Sequence, residues 1–251
     1  MSRSAWDTRI ARAAELEKLH PPAAELLRFY REIVRFQATV AQAFAKAYAV
    51  APADLVPHFQ PLLAVVQRAG PPALAQAARE LSRDPARWES LLRGDAGPPE
   101  PSHAFFVRAL MQPATESLAR GASGFSPRET PVSQSCPYCG EKPVVAVLRP
   151  EGDGGKRSLL CSLCSTEWDF RRVLCPYCGE EDKDRLPVYT AEEFPYIRVE
   201  TCDTCRVYLK SIDLTRHGLA VPEVDELASV SLDLWAREMG YTKLQHNLFG
   251  M

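Results

Sequence analysis

Residues 136–141 read CPYCGE, and the same six residues return at 175–180. Each copy is followed by a second Cys-x-x-Cys pair, CSLC at 161–164 and CDTC at 202–205. The copies are offset by 39 residues at their first pairs and by 41 at their second. All 8 cysteines of the chain belong to these four pairs. The sequence therefore contains a duplicated cysteine unit that is too small to bury a core of its own.

The spacing of the pairs predicts metal binding. A Cys-x-x-Cys turn brings two thiolates close enough to bind one ion, and two such turns complete a tetrahedral site. We expect each copy to form its own site, because the residues between its pairs are enough for one hairpin. Zinc and iron both accept four thiolates, so the metal stays open, and a closed site has no position for an activated water. The predicted ligands are Cys136, Cys139, Cys161 and Cys164 in the first site, and Cys175, Cys178, Cys202 and Cys205 in the second.

Three other interpretations of this region are weaker. Cys-Pro-Tyr-Cys is also the redox motif of glutaredoxins, but there one pair opens a helix, whereas each pair here has a partner pair downstream. A cross-braced arrangement that joins the first pair to the third would break the duplication. The segment GDGGKRS resembles a phosphate-binding loop, but Pro150 stands where that pattern requires glycine.

The first half of the chain has no cysteine and shows helical periodicity. Between 23 and 50, apolar residues such as Leu27, Ile33 and Val34 recur three or four positions apart, and arginines fill the other face. Prolines mark the edges of this and the neighbouring segments. Helices are predicted at about 6–19, 23–50, 53–69, 72–82 and 103–119, with a polar linker at 120–135.

From residue 136 onward the pattern changes to short β-type runs bounded by turns. Val144–Leu148 and Ser158–Cys161 flank a Gly-rich turn, and Leu186–Tyr189 and Tyr196–Glu200 repeat the arrangement, so two hairpins are predicted. Another helix is predicted at about 223–238. The expected fold is a multidomain α+β protein with four parts: a helical domain plus linker (1–134), two tandem tetrathiolate modules (135–172 and 173–217), and a C-terminal helix and tail (218–251).

Composition and charge narrow the function. The chain has 251 residues, is 46% hydrophobic and 25% charged, and so is neither disordered nor fibrous. Residues 135–251 carry 14 Lys and Arg against 19 Asp and Glu, a net charge of −5, which two divalent ions on eight thiolates take to about −9. Such a surface repels a phosphate backbone, so we expect no nucleic-acid partner. The basic residues that remain as a candidate patch are Arg171, Arg172, Lys183, Arg185 and Arg198.

The sequence also bears on location. The N-terminus lacks the apolar run of a secretory signal, and no segment approaches the roughly 20 apolar residues that span a bilayer. We therefore expect a cytoplasmic protein without a membrane span. In that compartment clustered cysteines are more often metal ligands than disulfides.

Three segments resemble the formate dehydrogenase accessory protein FdhE family: LLCSLCSTEWDFRRVLCPYCG (159–179), ETCDTCRVYLKSID (200–213) and DELASVSLDLWAREMGY (225–241). The likeness covers roughly residues 130–251. It implies an all-helical N-terminal region and two rubredoxin-like modules, with the eight cysteines as ligands and iron as the metal usually discussed. It also implies a cytoplasmic, non-enzymatic helper that binds the molybdenum- or tungsten-containing catalytic subunit of formate dehydrogenase during maturation.

Five further residues match motif positions of that family: Glu167, Trp168, Arg172, Tyr208 and Lys210. We interpret the first three as mainly structural, with Trp168 covering the metal or a small core and Arg172 paired with Glu167 across a turn. Tyr208 and Lys210 share one side of a strand-like run, which suggests joint exposure at an interface.

The residues that follow the second cysteine of each pair differ between pairs. Gly140 and Gly179 follow the first pair of each copy, and a glycine there can take positive φ and turn backbone N–H groups toward the sulfurs. Ser165 and Arg206 follow the other two pairs, where a typical rubredoxin loop has glycine. The sequence leaves open whether the two sites are equally tight.

The functional hypothesis is an accessory factor that binds the formate dehydrogenase catalytic subunit through a metal-stabilised scaffold. One alternative is a rubredoxin-like iron redox protein that delivers electrons or sulfur to that enzyme. Another is a nucleic-acid-binding zinc ribbon. The sequence leaves the oligomeric state open, a homo-oligomer included.

Overall fold

The computed structural model describes residues 4–95, 100–122, 133–152 and 154–251. Helices occupy the first part of the chain and a mixed sheet dominates the second, so the predicted α+β class is confirmed. None of the helices in the described ranges is long and apolar enough to cross a bilayer. The helices of the first part are α1 (Ala5–Leu19), α2 (Ala24–Ala43), α3 (Pro52–Leu55), α4 (Phe59–Ala69), α5 (Pro72–Ser82), α6 (Arg87–Arg93) and α7 (Pro101–Gly121).

The core of the helical part forms around α2, α4 and α7. Ile33 of α2, Leu62 of α4 and Phe106 of α7 are fully buried in one apolar cluster. Burying a side chain of this size stabilises the fold by about 1.5–3 kcal/mol. In the same cluster the ring of Phe59 stacks on that of Trp88, with 5.1 Å between ring centroids.

Two of the predicted helices have other bounds in the structure. The helix predicted over 23–50 ends at Ala43, well before Ala51, whose extended backbone leads into Pro52 at the start of α3. The segment predicted as one helix over 53–69 is divided, because Pro57 lacks the N–H that a continuous helix requires there. Helix α6 was not predicted; it is short and buries Trp88. The predicted linker 120–135 is helical up to Gly121, and its residues 123–132 lie outside the described residues.

The second part contains a seven-stranded sheet. Its strands are β1 (Pro143–Glu151), β2 (Gly154–Cys161), β3 (Glu167–Asp169), β4 (Val188–Ala191), β5 (Phe194–Cys202), β6 (Val207–Asp213) and β7 (Thr242–Lys243), which pairs with β6. The antiparallel hairpins β1–β2 and β4–β5 confirm the two that were predicted. Each copy of the cysteine unit supplies three strands, and the order across the sheet is β3-β2-β1-β6-β5-β4.

The two copies join through a parallel pairing of β1 with β6. Ala146, Val147 and Leu148 lie opposite residues 211–213 in this joint. The first strand of one copy is thus hydrogen-bonded to the last strand of the other. Because the ladder continues across the joint, the two cysteine units share one sheet, an arrangement that the sequence did not predict.

The helix predicted at 223–238 is divided into α8 (Pro222–Ala228) and α9 (Val230–Glu238). Between them Ser229 leaves the helical conformation, at φ −96° and ψ 37°. Its hydroxyl donates toward the carbonyl oxygens of Asp225 and Glu226, and such bonds from serine to the preceding turn compete with the regular helical ladder. The division lets α9 pack on the sheet, where Leu232 and Ala236 of α9 join the apolar cluster formed by the strands.

The helical part is fixed to the sheet through buried ion pairs and the C-terminal tail. Arg12 of α1 donates to both oxygens of Asp225 in α8, at 2.6 and 3.0 Å, and Tyr196 of β5 donates to the same carboxylate. The tail returns to the helices, where the ring of Phe249 packs against those of Phe29 and Phe105. Buried charge pairs of this kind favour one specific arrangement of the parts more than they add stability.

Candidate metal centres

The first centre is formed where the two pairs of the first copy meet. The Cys136 and Cys139 pair precedes β1, and the Cys161 and Cys164 pair begins at the last residue of β2. The sulfur of Cys136 lies 3.5 Å from that of Cys164, and the sulfur of Cys139 lies 3.4 Å from that of Cys161. All four sulfurs lie within 4.8 Å of one another.

The second centre repeats this geometry. The sulfur of Cys175 lies 3.8 Å from that of Cys205, and the sulfur of Cys178 lies 3.6 Å from that of Cys202. These four also lie within 4.8 Å of one another. The structure therefore groups the eight cysteines copy by copy, as the sequence predicted, and brings no first-copy cysteine into the second group.

The sulfur positions fit a tetrahedral ion. A metal–sulfur bond of about 2.3 Å places the corners of a regular tetrahedron about 3.8 Å apart, close to the 3.4–3.8 Å seen here. A disulfide would require about 2.05 Å, and all eight thiols are free. Backbone N–H groups also point at the sulfurs, from Leu163 to Cys161 at 3.3 Å and from Tyr177 to Cys175 at 3.4 Å. Each four-cysteine group can thus hold one metal ion.

The pKa shifts of the cysteines in the first centre also favour a bound cation. Hydrogen bonding from Cys139 lowers the pKa of Cys136, whereas the proximity of Cys136 raises the pKa of Cys161 and of Cys164. Four thiolates cannot all carry charge at this separation without a cation, so some of the thiols retain protons. A divalent ion removes that conflict, because metal binding releases the remaining protons.

All four Cys-x-x-Cys turns end in the left-handed backbone conformation. Gly140 and Gly179 have φ of 80° and 79°, as expected of glycine. Ser165 and Arg206 have φ of 54° and 59°, and the structure reports positive φ for no other non-glycine residue in its described ranges. The absence of glycine from half of the turns therefore does not change their backbone shape, although each substitution carries a strain of about 1–2 kcal/mol.

The side chains of Ser165 and Arg206 make contacts that glycine cannot make. The Ser165 hydroxyl donates to Glu116 of α7 at 3.2 Å. Arg206 donates to the carbonyl oxygen of Met239 at 2.6 Å and lies 3.9 Å above the centroid of the Tyr241 ring. These two residues tie the second turn of each centre to the rest of the protein, the first to the helical part and the other to the segment after α9.

One face of α7 contacts the turn at residues 161–165. Arg108, Gln112 and Glu116 are spaced four residues apart, so they share a face of the helix. Arg108 donates to the Ser162 hydroxyl at 2.6 Å, Gln112 donates to the Ser162 carbonyl oxygen at 2.8 Å, and Glu116 accepts from Ser165. The helical part therefore holds one of the two turns of the first centre directly, a role that neither charge pattern nor motif indicated.

Arg108 places a cation beside the first centre. Burial lowers the pKa of Arg108 from its ordinary value, while the Glu141 carboxylate and the sulfurs of Cys161 and Cys139 oppose that shift. The Nε atom of this guanidinium is buried without a hydrogen-bond partner among the described residues. Its charge is therefore shared between Glu141 and the sulfurs of the first centre, where a nearby cation favours the thiolate form of the cysteines.

The two centres differ in exposure. Three cysteines of the first centre are buried and Cys139 is half-buried. In the second centre Cys178 is exposed and Cys205 is half-buried. The second centre is thus open to solvent on the Cys178 side, whereas the first lies under α7 and the ring of Trp168, which shares its apolar cluster.

The structure corrects two expectations about the family-motif residues. Trp168 is buried beside the first centre, as predicted, but Glu167 pairs with Arg149 at 2.7 Å and not with Arg172. Tyr208 and Lys210 do share one side of a strand, but that side is buried and not an exposed interface.

Lys210 is fully buried beneath α8 and α9 in a network with Glu226 and Asp233. Tyr208 donates to the same Asp233 at 2.8 Å. A lysine is rarely buried unless it is paired with an acidic group. Because the acidic partners of Lys210 lie on α8 and α9, its position in a strand gave no sign of this network.

The candidate basic patch is also partly neutralised. Arg171 pairs with Glu181 at 2.6 Å, and Arg198 pairs with Asp213. Two of the five cations considered for nucleic-acid binding are therefore occupied within the chain.

The fold and site together define a class of protein. A helical domain contacts one of two four-cysteine centres, both centres adjoin a shared sheet, and each centre presents four sulfurs that can hold a metal ion, so the fold and site are those of a candidate metal-binding α+β protein. Family comparison agrees with that class. Residues 135–172 match the family model described as "FdhE, central domain", and residues 173–249 match "FdhE, C-terminal domain".

Similar proteins extend the match beyond these segments. A "Protein FdhE homolog" of Aquifex aeolicus is 36% identical over 197 residues, which are 77% of this chain and 69% of that protein. The chain therefore belongs to the FdhE family. A homolog of Pseudomonas aeruginosa is 34% identical over 57% of this chain but only 48% of its own length. The crystal structure of the FdhE protein from Pseudomonas aeruginosa superimposes with a TM-score of 0.73 and 26% identity, over 99% of this chain and 96% of that one.

Proposed function

We propose that this protein is a cytoplasmic accessory factor that binds the catalytic subunit of formate dehydrogenase while that enzyme matures. The observation that carries the proposal is a pair of closed four-cysteine centres, built into one scaffold, in a chain of the FdhE family. Closed tetrathiolate sites suit a binding surface better than an active site, since they offer substrate no coordination position. We therefore propose no reaction that this protein catalyses itself.

The eight cysteines are the proposed ligands of two metal ions, iron or zinc. When bound, such an ion supplies a tetrahedral cross-link between turns that are distant in sequence. The chain prepares each site with two left-handed turns and with an N–H group that faces a sulfur. Residues 161–165 connect the first centre to α7, because they form hydrogen bonds with Arg108, Gln112 and Glu116.

A redox role is the second candidate, and the exposure of Cys178 favours it. This ligand brings the second centre to the surface, where a partner could exchange an electron with bound iron. Protein purified without oxygen would distinguish the two functions. Reversible ferric absorption with a measurable midpoint potential would support the redox role, whereas colourless protein with stoichiometric zinc would support the scaffold.

The proposed function is tested by affinity capture from anaerobic extract of the source organism. Tagged wild-type chain should enrich the formate dehydrogenase catalytic subunit over an unrelated tagged protein, and the C136S and C202S variants should lose that enrichment. A T204S variant is the matched control, because it changes a residue of the same Cys-x-x-Cys turn and keeps the hydroxyl that donates to Glu180. No enrichment by the wild-type chain would refute the proposal.

A further inference from the structure

A cavity lies on the face of the sheet opposite α8 and α9. Its volume is about 270 Å³. One wall is formed by side chains of the sheet, among them Leu148 of β1, Leu209 of β6 and Val188 of β4. The other wall is the segment 172–176, which leads into the second metal centre and includes its ligand Cys175. The cavity therefore lies between the two cysteine units, and its floor is largely apolar.

The cavity opens beside an unpaired edge of the sheet. Strand β4 pairs with β5 alone among the described strands. Pro187 accepts the N–H of Thr201 in β5 at 3.0 Å, so by the alternation of an antiparallel ladder the backbone groups of Val188 and Thr190 point away from β5. Both residues are exposed, and their backbone N–H and C=O groups have no partner within the described parts of the chain. Val188 belongs to this edge and to the cavity wall alike.

The charges around the cavity leave one cation uncompensated. Arg157 is buried and donates to Glu200, at 2.6 Å from Nη2. Arg198 is paired with Asp213. Arg172 lines the cavity, is exposed, and has neither an ion pair nor a hydrogen bond with any residue that the structure describes. An acidic group that enters the cavity therefore meets a guanidinium free to bind it.

We propose that this cavity and the β4 edge bind an extended segment of the client polypeptide, with an apolar side chain in the cavity and a carboxylate on Arg172. The free backbone groups of Val188 and Thr190 favour a peptide over a small molecule, because an added strand satisfies them with its own N–H and C=O groups. Alternate side chains of such a strand face the cavity, and the apolar floor and Arg172 select among them. The inference rests on the proposed function, since the client is the formate dehydrogenase catalytic subunit.

The second metal centre then has a definite part in binding. Cys175 and Cys202 both line the cavity, so an ion in that centre holds the segment 172–176 at its distance from the sheet. The first centre contributes no cysteine to the cavity lining. Loss of the second ion should therefore disturb the peptide site directly.

Two pairs of variants of the full chain test the inference. T190P removes the outward N–H of Thr190 without removing a ladder hydrogen bond, whereas T190A keeps that N–H and shortens the side chain. R172E reverses the free cation, whereas R171E makes the same charge change at a neighbour that does not line the cavity. The probe is purified catalytic subunit, titrated against each metal-loaded variant, with melting temperature recorded to confirm folding.

We expect T190P and R172E each to weaken binding of the subunit by about tenfold or more, because T190P removes one backbone hydrogen bond and R172E removes one charge-assisted hydrogen bond. The affinities of T190A and R171E should stay near that of wild type. If wild type binds the subunit and all four variants bind it with the same affinity, this inference is wrong and the proposed function stands. No binding by the wild-type chain would overturn both. If T190P instead converts a dimer to a monomer and leaves subunit binding unchanged, the edge pairs with a second copy of the chain and the inference is wrong.

Discussion

Replacing Glu116 with glutamine tests how strongly the helical part supports the first metal centre. Glu116 is buried, and its carboxylate accepts two hydrogen bonds from Arg9, at 2.9 and 3.1 Å, and one from Ser165 at 3.2 Å. The side chains of Glu116 and Arg9 are only 3% and 6% exposed. The E116Q variant keeps the shape of the side chain but removes the charge that faces the buried guanidinium of Arg9 and the exposed one of Arg120.

The magnitude follows from the partners that remain. Removing one member of a buried ion pair costs about 3–5 kcal/mol. Two features reduce that figure here: glutamine still offers one acceptor oxygen, and Arg9 keeps a second carboxylate in Glu223, at 2.5 Å. We therefore expect a loss of about 2–3 kcal/mol in the free energy of unfolding. For a chain of this size that corresponds to a fall of roughly 5–10 °C in melting temperature.

The assay combines calorimetry with metal release. E116Q should melt earlier and should also release the ion of the first centre to a chelator faster than wild type, because Ser165 loses its charged acceptor. Release from the second centre should be unchanged. The matched control is E89Q, in an exposed pair with Arg93 four residues further along a helix, where we expect less than about 1 kcal/mol. The reasoning is refuted if E116Q and E89Q melt together and release metal at equal rates.

Three further predictions concern the turns, the buried charges and the order of metal loss. R206A and R206G both remove the contacts of Arg206 with Met239 and Tyr241, but only R206G relieves the left-handed backbone, so R206G should be the more stable by about 1–2 kcal/mol in denaturant titration. Burial alone would raise the pKa of Glu226, but Lys210 and Lys243 outweigh it and lower that pKa to about 2. The stability that Glu226 supplies is then fully present above its unfolded pKa of about 4.5 and is lost as pH falls toward 2, so the melting temperatures of wild type and E226Q should converge as pH falls from about 4.5 to about 2; a constant gap would contradict this. A chelator should remove one ion quickly and the other slowly, with the fast phase abolished by C202S, because the second centre is open at Cys178; equal rates would contradict the difference in exposure.

The grouping of the cysteines could be predicted from the sequence because the information is local. Each Cys-x-x-Cys turn fixes its own two sulfurs, and each hairpin brings its two turns together, so the grouping of Cys136 with Cys164 and of Cys175 with Cys205 follows from the spacing together with the duplication. The hairpins were predicted for the same reason, since alternation and turn residues lie within a few positions of each other.

The connections between the parts could not be predicted, because they depend on contacts distant in sequence. The parallel joint pairs Val147 with Ile212, and neither strand carries a signal for its partner. Lys210 is buried only because Glu226 and Asp233 arrive from α8 and α9. Ser165 departs from the glycine of the turn pattern, and the contact that explains this serine, a hydrogen bond from its hydroxyl to Glu116 of α7, is distant in sequence.

The two proposals place different demands on the same scaffold. In the proposed binding mode the client contacts the cavity beside the second centre, whereas α7 of the helical part contacts the first centre. Variants of Glu116 should therefore affect stability more than affinity, and variants of Arg172 should affect affinity more than stability.

The measurement that tests the central claim most directly is native mass spectrometry of the intact chain purified without oxygen. Two tetrathiolate centres predict two metal ions per wild-type chain and one ion per chain in both C136S and C202S. A wild-type chain that carries no metal and has the mass of two or more disulfides would contradict the account, as would a wild-type chain that carries only one ion and keeps it in both variants.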